Sequence, residues 1–427
     1  MSKIIVEINL SERSSAKKTA NKKSTRLNDI LGQISQPDKS NYHNDKIVVQ
    51  TTDCILDNFI SNIKNTTVSD REILVLAQTQ SGKSDIIKNF SERLLDNDLK
   101  LREMNVNGII VIICGSCNEL KNDLKKKINA TNTTIYHIDD IEYILKSIES
   151  EIDLKKVKLK FNNKIIIIDE SHAVDQITQT RNKFFELIGL SYTKPWNSHL
   201  NVYMVHTSAT SYEQIAQNMP YVVMPPRKGY YGINDIYVNK KLFQSRDLSI
   251  EKNLEYFFGK IFDCYNNNLD GYIIIRQPDS MSKKESFRST IKKYLDDNGI
   301  NFNVIDYDHS YLDNINDVLS VKPKLLTIIY LKDKMRMGIT ISKKYILAVH
   351  DTIKSTYTHT VVQSLLGRMT GYNANKRTLV FCDKEKAKEH LKWINKDYSI
   401  DTIPNHSKDL YDDKTIKRKN MYSLYKN

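Results

Sequence analysis

Short runs of consecutive apolar residues alternate along the chain with longer segments whose apolar residues recur at helical spacing. An uninterrupted apolar run of strand length is typical of a strand that is buried on both faces of a parallel sheet. Strands of this kind that alternate with helices predict an α/β fold. The clearest runs are residues 73–76, 109–113, 165–168, 202–206, 271–276 and 326–330.

The chain is long enough for two domains. Its 427 residues allow two domains of ordinary size, each with its own core. Two prolines and two glycines fall between residues 224 and 232, and such residues interrupt regular structure. We predict that the first domain ends there. The predicted segments are a basic, flexible N-terminal arm at 1–45, a first domain at 46–225, a linker at 226–245, a second domain at 246–400 and a basic tail at 401–427.

A loop of small and polar residues follows the first apolar run. Residues 77–84 read Ala-Gln-Thr-Gln-Ser-Gly-Lys-Ser, and such a loop points backbone N–H groups at phosphate oxygens while the next helix adds its positive end. Lys83 would reach the β- and γ-phosphates, and the Ser84 hydroxyl would hold Mg²⁺. The alternative is a polar turn before an ordinary helix. The predicted phosphate-binding residues are Thr79, Gln80, Ser81, Gly82, Lys83 and Ser84.

Two acids follow the isoleucine run at residues 165–168. Carboxylates at the carboxyl end of a strand stand where open α/β sheets bind ligands. Asp169 would hold Mg²⁺, and Glu170 would orient and polarise the attacking water. The alternative is that both acids cap the next helix. The loop and the acids, each after a strand and in this order, together predict hydrolysis of a nucleoside triphosphate.

Four more segments extend the pattern, and with them the chain resembles superfamily 2 helicases and translocases of the DExH type over roughly residues 45 to 385. Residues 169–172 match motif II, and Lys83 lies in motif I. Ser116 and Asn118 lie in motif Ia. The remaining matches are Ser208-Ala209-Thr210 for motif III, Gly338-Ile339-Thr340 for motif V and residues 363–368 for motif VI.

The resemblance implies two RecA-like lobes with parallel sheets, an ATP cleft between them, and ATP and Mg²⁺ as cofactors. It implies that Arg368 stabilises the charge that develops on the γ-phosphate, with Gln363 beside it in the catalytic motif. It also implies that Gly338 contacts the nucleotide and that Ser116 and Asn118 contact nucleic acid. For Arg368 the alternative is an ordinary surface arginine on a helix.

Motif VI departs from the usual family pattern. Many members carry a second arginine three positions after the first, where this chain has Gly371. Its ending resembles the GR-x-x-GY form of some restriction-associated and viral members. Arg377, Lys376 and Arg336 are the candidates for the missing charge.

Three functions follow from these motifs. The first is an ATP-dependent helicase or translocase that moves along or unwinds DNA or RNA. The second is a motor subunit of a restriction or packaging complex, which would share motifs I to III. The third is a nucleic-acid-binding scaffold that does not hydrolyse ATP. Intact Lys83, Asp169 and Glu170 favour the hydrolysing functions.

Charge agrees with a nucleic-acid partner. The net charge is +13 and the isoelectric point is about 9.1, and lysine and arginine gain affinity for nucleic acid through counterion release. Composition does not distinguish DNA from RNA, and we take DNA as the working choice. A chain rich in lysine and asparagine also arises from an AT-rich genome, such as that of a virus, a plasmid or a microbe.

Cysteine content and hydropathy bear on location. Five cysteines, an odd number in a long chain, do not form a disulfide framework and favour a reducing compartment. Cys114 and Cys117 have the spacing of a metal or redox pair, but no second pair accompanies them. No apolar run approaches the ~20 residues that a membrane-spanning helix needs. We therefore predict a cytoplasmic protein with no membrane partner.

Overall fold

The computed structural model describes the chain in two compact units, of which the first ends at Gly229 and the second begins at Tyr230. Each unit is built on one sheet of parallel strands with helices around it. The prediction of an α/β fold with two lobes on parallel sheets is confirmed. The described residues are 5–7, 46–63, 71–114, 118–128, 131–170, 180–190, 200–216, 219–266, 268–278, 281–308, 310–311, 314–332, 340–351 and 357–404.

The first unit contains a seven-stranded sheet with the order β1-β7-β2-β6-β5-β3-β4, in which every pair is parallel. The strand before the predicted phosphate loop is β2, and the strand before the two acids is β5. Strand β6 lies between them. The strands are β1 (Ile5–Glu7), β2 (Glu72–Ala77), β3 (Gly108–Ile113), β4 (Thr133–His137), β5 (Lys164–Asp169), β6 (Val202–Ser208) and β7 (Tyr221–Met224).

Helices connect these strands, as parallel pairing requires. Their ends follow local chemistry: Asp98, for example, caps a helix by accepting hydrogen bonds from the backbone N–H groups of Lys100 and Leu101, which would otherwise lack partners. The helices are α1 (Lys46–Ser61), α2 (Lys83–Leu95), α3 (Leu99–Glu103), α4 (Asn118–Lys127), α5 (Ile138–Lys146), α6 (Glu151–Phe161), α7 (Thr180–Ile188) and α8 (Tyr212–Ala216).

Two separate apolar cores cover the two faces of this sheet. Alternate residues of a strand point to opposite faces, so Ile165 and Ile167 pack into the core that contains α1 and α2. Ile166 and Ile168 pack into the core that contains Phe161, Phe184 and Phe185. This is why the central strands are continuously apolar, and why the functional residues lie at the strand ends.

The second unit contains a six-stranded parallel sheet with the order β10-β11-β9-β12-β13-β8. The same division into two faces holds, since Ile274 belongs to one apolar core and Ile273 and Ile275 to the other. The strands are β8 (Leu242–Gln244), β9 (Tyr272–Arg276), β10 (Phe302–Tyr307), β11 (Leu326–Leu331), β12 (Ile346–His350) and β13 (Leu379–Cys382).

One helix of the second unit is irregular. It begins as α13 (Thr358–Val361) and continues as a π-helical segment, Val362–Leu366, in which Ser364 has non-helical backbone angles. π-helical turns are rare and frequently occur at functional sites. The remaining helices are α9 (Ile233–Val238), α10 (Glu251–Tyr265), α11 (Met281–Asp297), α12 (Ile315–Leu319), α14 (Lys384–Asn395) and a 3₁₀ turn at Ile400–Thr402.

The segments predicted as an arm and a linker contain regular structure. Strand β1, in the predicted arm, pairs with β7 at the edge of the first sheet. Residues 226–245, the predicted linker, include α9 and β8, and β8 pairs with β13. Residues 8–45 and 405–427 lie outside the described part of the chain.

Candidate active site

The predicted phosphate loop is a tight turn between β2 and α2. Gln80 and Gly82 have left-handed backbone conformations, with φ of 55° and 99°, and the Ser81 hydroxyl donates a hydrogen bond to the carbonyl oxygen of Gln78 over 2.7 Å. Helix α2 begins at Lys83, directly after the turn. Backbone N–H groups at such a helix start attract anions.

A lysine and an acid meet across this loop. The Lys83 ammonium lies 3.4 Å from Glu170 Oε1, and their side chains are 10% and 5% exposed. Glu170 directly follows β5 and has a φ of 54°, a left-handed conformation that is uncommon for a residue with a side chain. Neighbouring residues of a strand point to opposite faces. The left-handed turn at Glu170 therefore interrupts the alternation of the strand, and the Glu170 carboxylate lies beside Lys83.

Asp169 is held from the neighbouring strand. The Thr207 hydroxyl, on β6, donates to Asp169 Oδ1 over 2.7 Å, and the backbone N–H of Glu170 donates to the same oxygen over 3.1 Å. Burial raises the pKa of the Asp169 carboxyl, and the Glu170 carboxylate raises it further, whereas Lys83 and Thr207 act in the opposite direction. A nearby cation would stabilise the ionised form.

These contacts join three adjacent parallel strands. The loop follows β2, Thr207 lies on β6 and the two acids follow β5, and all three strands end at the same edge of the sheet. The sequence located the loop and the acids but did not single out Thr207. Oxygen ligands such as Asp169 and Ser84 are the type that Mg²⁺ takes in proteins, so the donor set fits this metal.

The other predicted residues of the first unit are placed as follows. Thr79 and Ser81 are buried within the loop, Gln80 is half-buried, and Ser84 is the second residue of α2. Ser116 lies outside the described residues, as does Gly338 of the second unit. Asn118 begins α4, and its side chain is outside the described part of the structure.

In the second unit, Gln363 and Arg368 lie at the irregular helix. Both are buried, with exposures of 1% and 2%, and Arg368 Nη2 donates to the carbonyl oxygen of Gln363 over 3.1 Å. The helical repeat is broken at Ser364, between the two residues. Arg368 is therefore held by the helix backbone within the second unit.

A buried ion pair fixes this helix to the sheet. Arg276, at the end of β9, donates from Nε to Asp351 Oδ1 over 2.9 Å and from Nη2 to the Ser364 hydroxyl over 2.9 Å. Asp351 Oδ2 accepts the backbone N–H of Leu365 over 3.2 Å. The sequence gave no sign of the partners of Arg276, which lie far along the chain.

A buried lysine lies beside the segment predicted as motif VI. Lys343 Nζ donates to the carbonyl oxygen of Thr370, the residue before Gly371. Burial and the nearby Arg368 guanidinium lower the pKa of Lys343 to about 7. Of the three candidates for the missing arginine, Arg377 donates to the carbonyl oxygen of Cys264 and stacks on Tyr265. Lys376 is exposed, and Arg336 is outside the described residues.

Comparison with known proteins identifies one relative along almost the whole chain. Uncharacterized protein L594 of Acanthamoeba polyphaga mimivirus is 36% identical over 407 residues, which are 92% of this chain and 99% of that protein. The chain belongs to the family of this mimivirus protein. A viral relative agrees with one of the three sources that the composition suggested, a virus, a plasmid or a microbe. No protein-family model matches the chain.

Solved structures show a weaker likeness. The Saccharomyces cerevisiae protein Dbp5 bound to RNA and ADP BeF3 has a TM-score of 0.40 and 14% identity, covering 87% of this chain and 93% of that one. Mycobacterium smegmatis helicase Lhr, bound to ssDNA and AMP-PNP, has a TM-score of 0.36 and 12% identity, covering 80% of this chain and 44% of that one. Neither likeness carries a functional assignment.

Two further observations concern the predicted location. Among the helices of the described residues, none is long and apolar enough to cross a membrane. Cys54, Cys114, Cys264 and Cys382 carry free thiols, and Cys117 lies outside the described part of the chain.

Proposed function

We propose that this protein is an ATP-dependent helicase or translocase of the superfamily 2 type, which couples ATP hydrolysis to movement along, or unwinding of, DNA or RNA. The observation that carries the proposal is the set of contacts at one edge of the first sheet. Lys83 pairs with Glu170, and Thr207 holds Asp169 beside that pair. A phosphate-binding lysine, a metal-binding acid and a water-activating acid are the groups that this hydrolysis needs.

Each residue has a distinct role in the proposed reaction. The loop N–H groups and Lys83 bind the β- and γ-phosphates, and Ser84 and Asp169 hold Mg²⁺. The metal supplies positive charge that neutralises the phosphate oxygens. Glu170 accepts a hydrogen bond from the attacking water and orients it. Because a phosphate oxygen competes with Glu170 for the Lys83 ammonium, binding of ATP releases the Glu170 carboxylate to contact water.

The second unit supplies the remaining catalytic groups in this proposal. Arg368 stabilises the negative charge that develops on the transferred phosphoryl group, and the backbone around Gln363 and Ser364 orients its guanidinium. Gly338 contributes to nucleotide binding, and Ser116 and Asn118 contact the nucleic acid. The net charge of +13 supports an anionic polymer as partner.

The test is the rate of ATP hydrolysis with and without single-stranded DNA, duplex DNA or RNA. We expect one polymer to stimulate the wild type. Glu170→Gln should lower kcat by about 10²–10⁴-fold, as loss of a general base does, while ADP still binds. Glu103→Gln, an exposed acid at the end of α3, is the matched control and should keep the wild-type rate.

Other outcomes would contradict the proposal in distinct ways. A wild type that hydrolyses ATP equally fast with every polymer and without any is not driven by nucleic acid. A wild type that binds nucleic acid but hydrolyses ATP no faster than Glu170→Gln is a scaffold, or a motor subunit that needs a partner.

A further inference from the structure

Arg227 is a buried cation at the edge of the phosphate loop. It follows β7 through Pro225 and Pro226 and is 6% exposed. Its Nη2 donates to Asp85 Oδ2 over 2.8 Å, and Asp85 lies in the first turn of α2. The guanidinium is therefore fixed against the helix start that follows the loop.

The same guanidinium lies against the loop backbone. A Cβ atom built on Gly82 would lie 2.6 Å from Arg227 Nη2 and 3.4 Å from its Cζ. Gly82 is the residue before Lys83, in the part of the loop whose N–H groups cradle phosphates. The positive charge of Arg227 therefore lies directly beside the loop backbone at Gly82.

The sheet order gives the direction from which Arg227 approaches. Strand β7 borders β2 on one side, whereas β6 and β5, which carry Thr207 and the two acids, lie on the other. In the proposed function, the terminal phosphate lies towards Glu170. Arg227 therefore reaches the loop from the side of β7, opposite the side on which Glu170 lies.

The loop thus has a cation on each side, and each is paired with a carboxylate. Lys83 pairs with Glu170 and Arg227 pairs with Asp85. A guanidinium has five N–H donors and binds phosphate in a fork geometry, so it can keep one carboxylate while it binds a phosphate oxygen.

We propose that Arg227 is a nucleotide-binding residue that contacts the diphosphate shared by ADP and ATP from the side of the loop opposite Glu170. This inference rests on the proposed function, because it requires a nucleotide in the loop. The contact is present before and during hydrolysis, so Arg227 contributes to affinity and not to the chemical step. An ion pair that only stabilises the fold is the competing explanation.

The experiment measures ADP binding by calorimetry and ATP hydrolysis by the full chain, in Mg²⁺. Arg227→Gln keeps a donor for Asp85 but removes the charge, and it should weaken ADP binding by about tenfold or more. The KM for ATP should rise by a similar factor while kcat stays unchanged. Arg93→Gln is the matched control: Arg93 lies on α2, as Asp85 does, and pairs with Asp53 over 2.8 Å, at the helix end away from the loop. Its ADP affinity should stay within about twofold of wild type.

Asp85→Asn separates the two explanations, even where Arg227→Gln does not fold. It keeps the guanidinium and removes its competing carboxylate, so we expect ADP affinity equal to or stronger than wild type. A loss like that of Arg227→Gln would overturn the inference and identify a structural pair. Wild-type affinity in folded Arg227→Gln would overturn it as well. A wild type that binds neither ADP nor ATP would instead contradict the proposed function.

Discussion

Loss of one partner of the buried ion pair between Arg276 and Asp351 should strongly destabilise the second unit. It joins the ends of β9 and β12 to the irregular helix through Ser364 and Leu365. Both side chains are 4% exposed, so water has little access to either charge. Arg276→Leu removes the guanidinium and leaves the Asp351 carboxylate buried beside an apolar side chain.

Removal of one partner from a buried pair costs about 3–5 kcal/mol, because the remaining charge is no longer compensated. For a unit of this size, that is a fall in Tm of about 6–20 °C. The double variant, Arg276→Leu with Asp351→Leu, removes both charges and loses chiefly the hydrogen bonds to Ser364 and Leu365, at about 1 kcal/mol each. We therefore expect it to be more stable than Arg276→Leu alone.

Urea unfolding followed by tryptophan fluorescence reports on this unit. The chain has two tryptophans, and Trp393 is buried in the second unit against Tyr398. In a Trp196→Phe background, the signal comes from Trp393. The exposed pair between Lys322 and Asp270 gives the control, because Lys322→Met should cost less than about 1 kcal/mol.

The reasoning would be refuted if the losses of unfolding free energy in Arg276→Leu and Asp351→Leu were additive in the double variant. A double variant whose loss equals the sum of the two single losses would mean that the charges do not interact. A loss in Arg276→Leu as small as that in Lys322→Met would mean that the buried carboxylate finds another partner. In either case, the Arg276–Asp351 pair would not account for the attachment of the irregular helix to the sheet.

Two further variants test the loop and the buried lysine. Gly82→Ala should lose most ADP affinity and about 1–2 kcal/mol of stability, because Gly82 has a φ of 99° and an added Cβ would meet Arg227. Gly259 lies in α10, where an added Cβ meets no other part of the chain within 4 Å, so the control Gly259→Ala should gain about 0.5–1 kcal/mol. Equal stability changes in the two variants would contradict the strain assigned to Gly82. Lys343 has its pKa lowered from 10.5 to about 7. Between these pH values the unfolded chain keeps a proton that the folded chain has released, so this residue makes stability rise with pH. Urea unfolding at several pH values from 6.5 to 9.5 should show a smaller rise in Lys343→Met, and an unchanged slope would contradict the shifted pKa.

The strands and the loop were predictable because their signals are local. A central strand of a parallel sheet is apolar on both faces, so runs such as residues 165–168 stand out in the sequence. The phosphate loop carries its chemistry within one short segment. By contrast, β8 is a three-residue edge strand, too short to give a periodic signal, and its segment was predicted as a linker.

The contacts of the site were not predictable because they join distant positions. Thr207 and Asp169 are 38 positions apart, and Arg227 and Asp85 are 142 apart. Only the order of the parallel strands brings them together. The left-handed backbone at Glu170 also had no sequence signal, since an acid at this position gives no indication of its φ.

The positions of Lys343 and Arg227 bear on the arginine that the segment predicted as motif VI lacks at position 371. Where the resemblance to superfamily 2 helicases predicts a second arginine, this chain has Gly371, and the neighbouring Lys343 ammonium bonds to Thr370. Burial and the nearby Arg368 guanidinium lower the pKa of Lys343, so Lys343 is a poor substitute for an arginine, which is always protonated. Arg227, at the phosphate loop, is such a permanent charge. If Arg227 binds the diphosphate as proposed, it offsets part of the missing charge in nucleotide binding, and in the proposed function the stabilisation of the transferred phosphoryl group is left to Arg368.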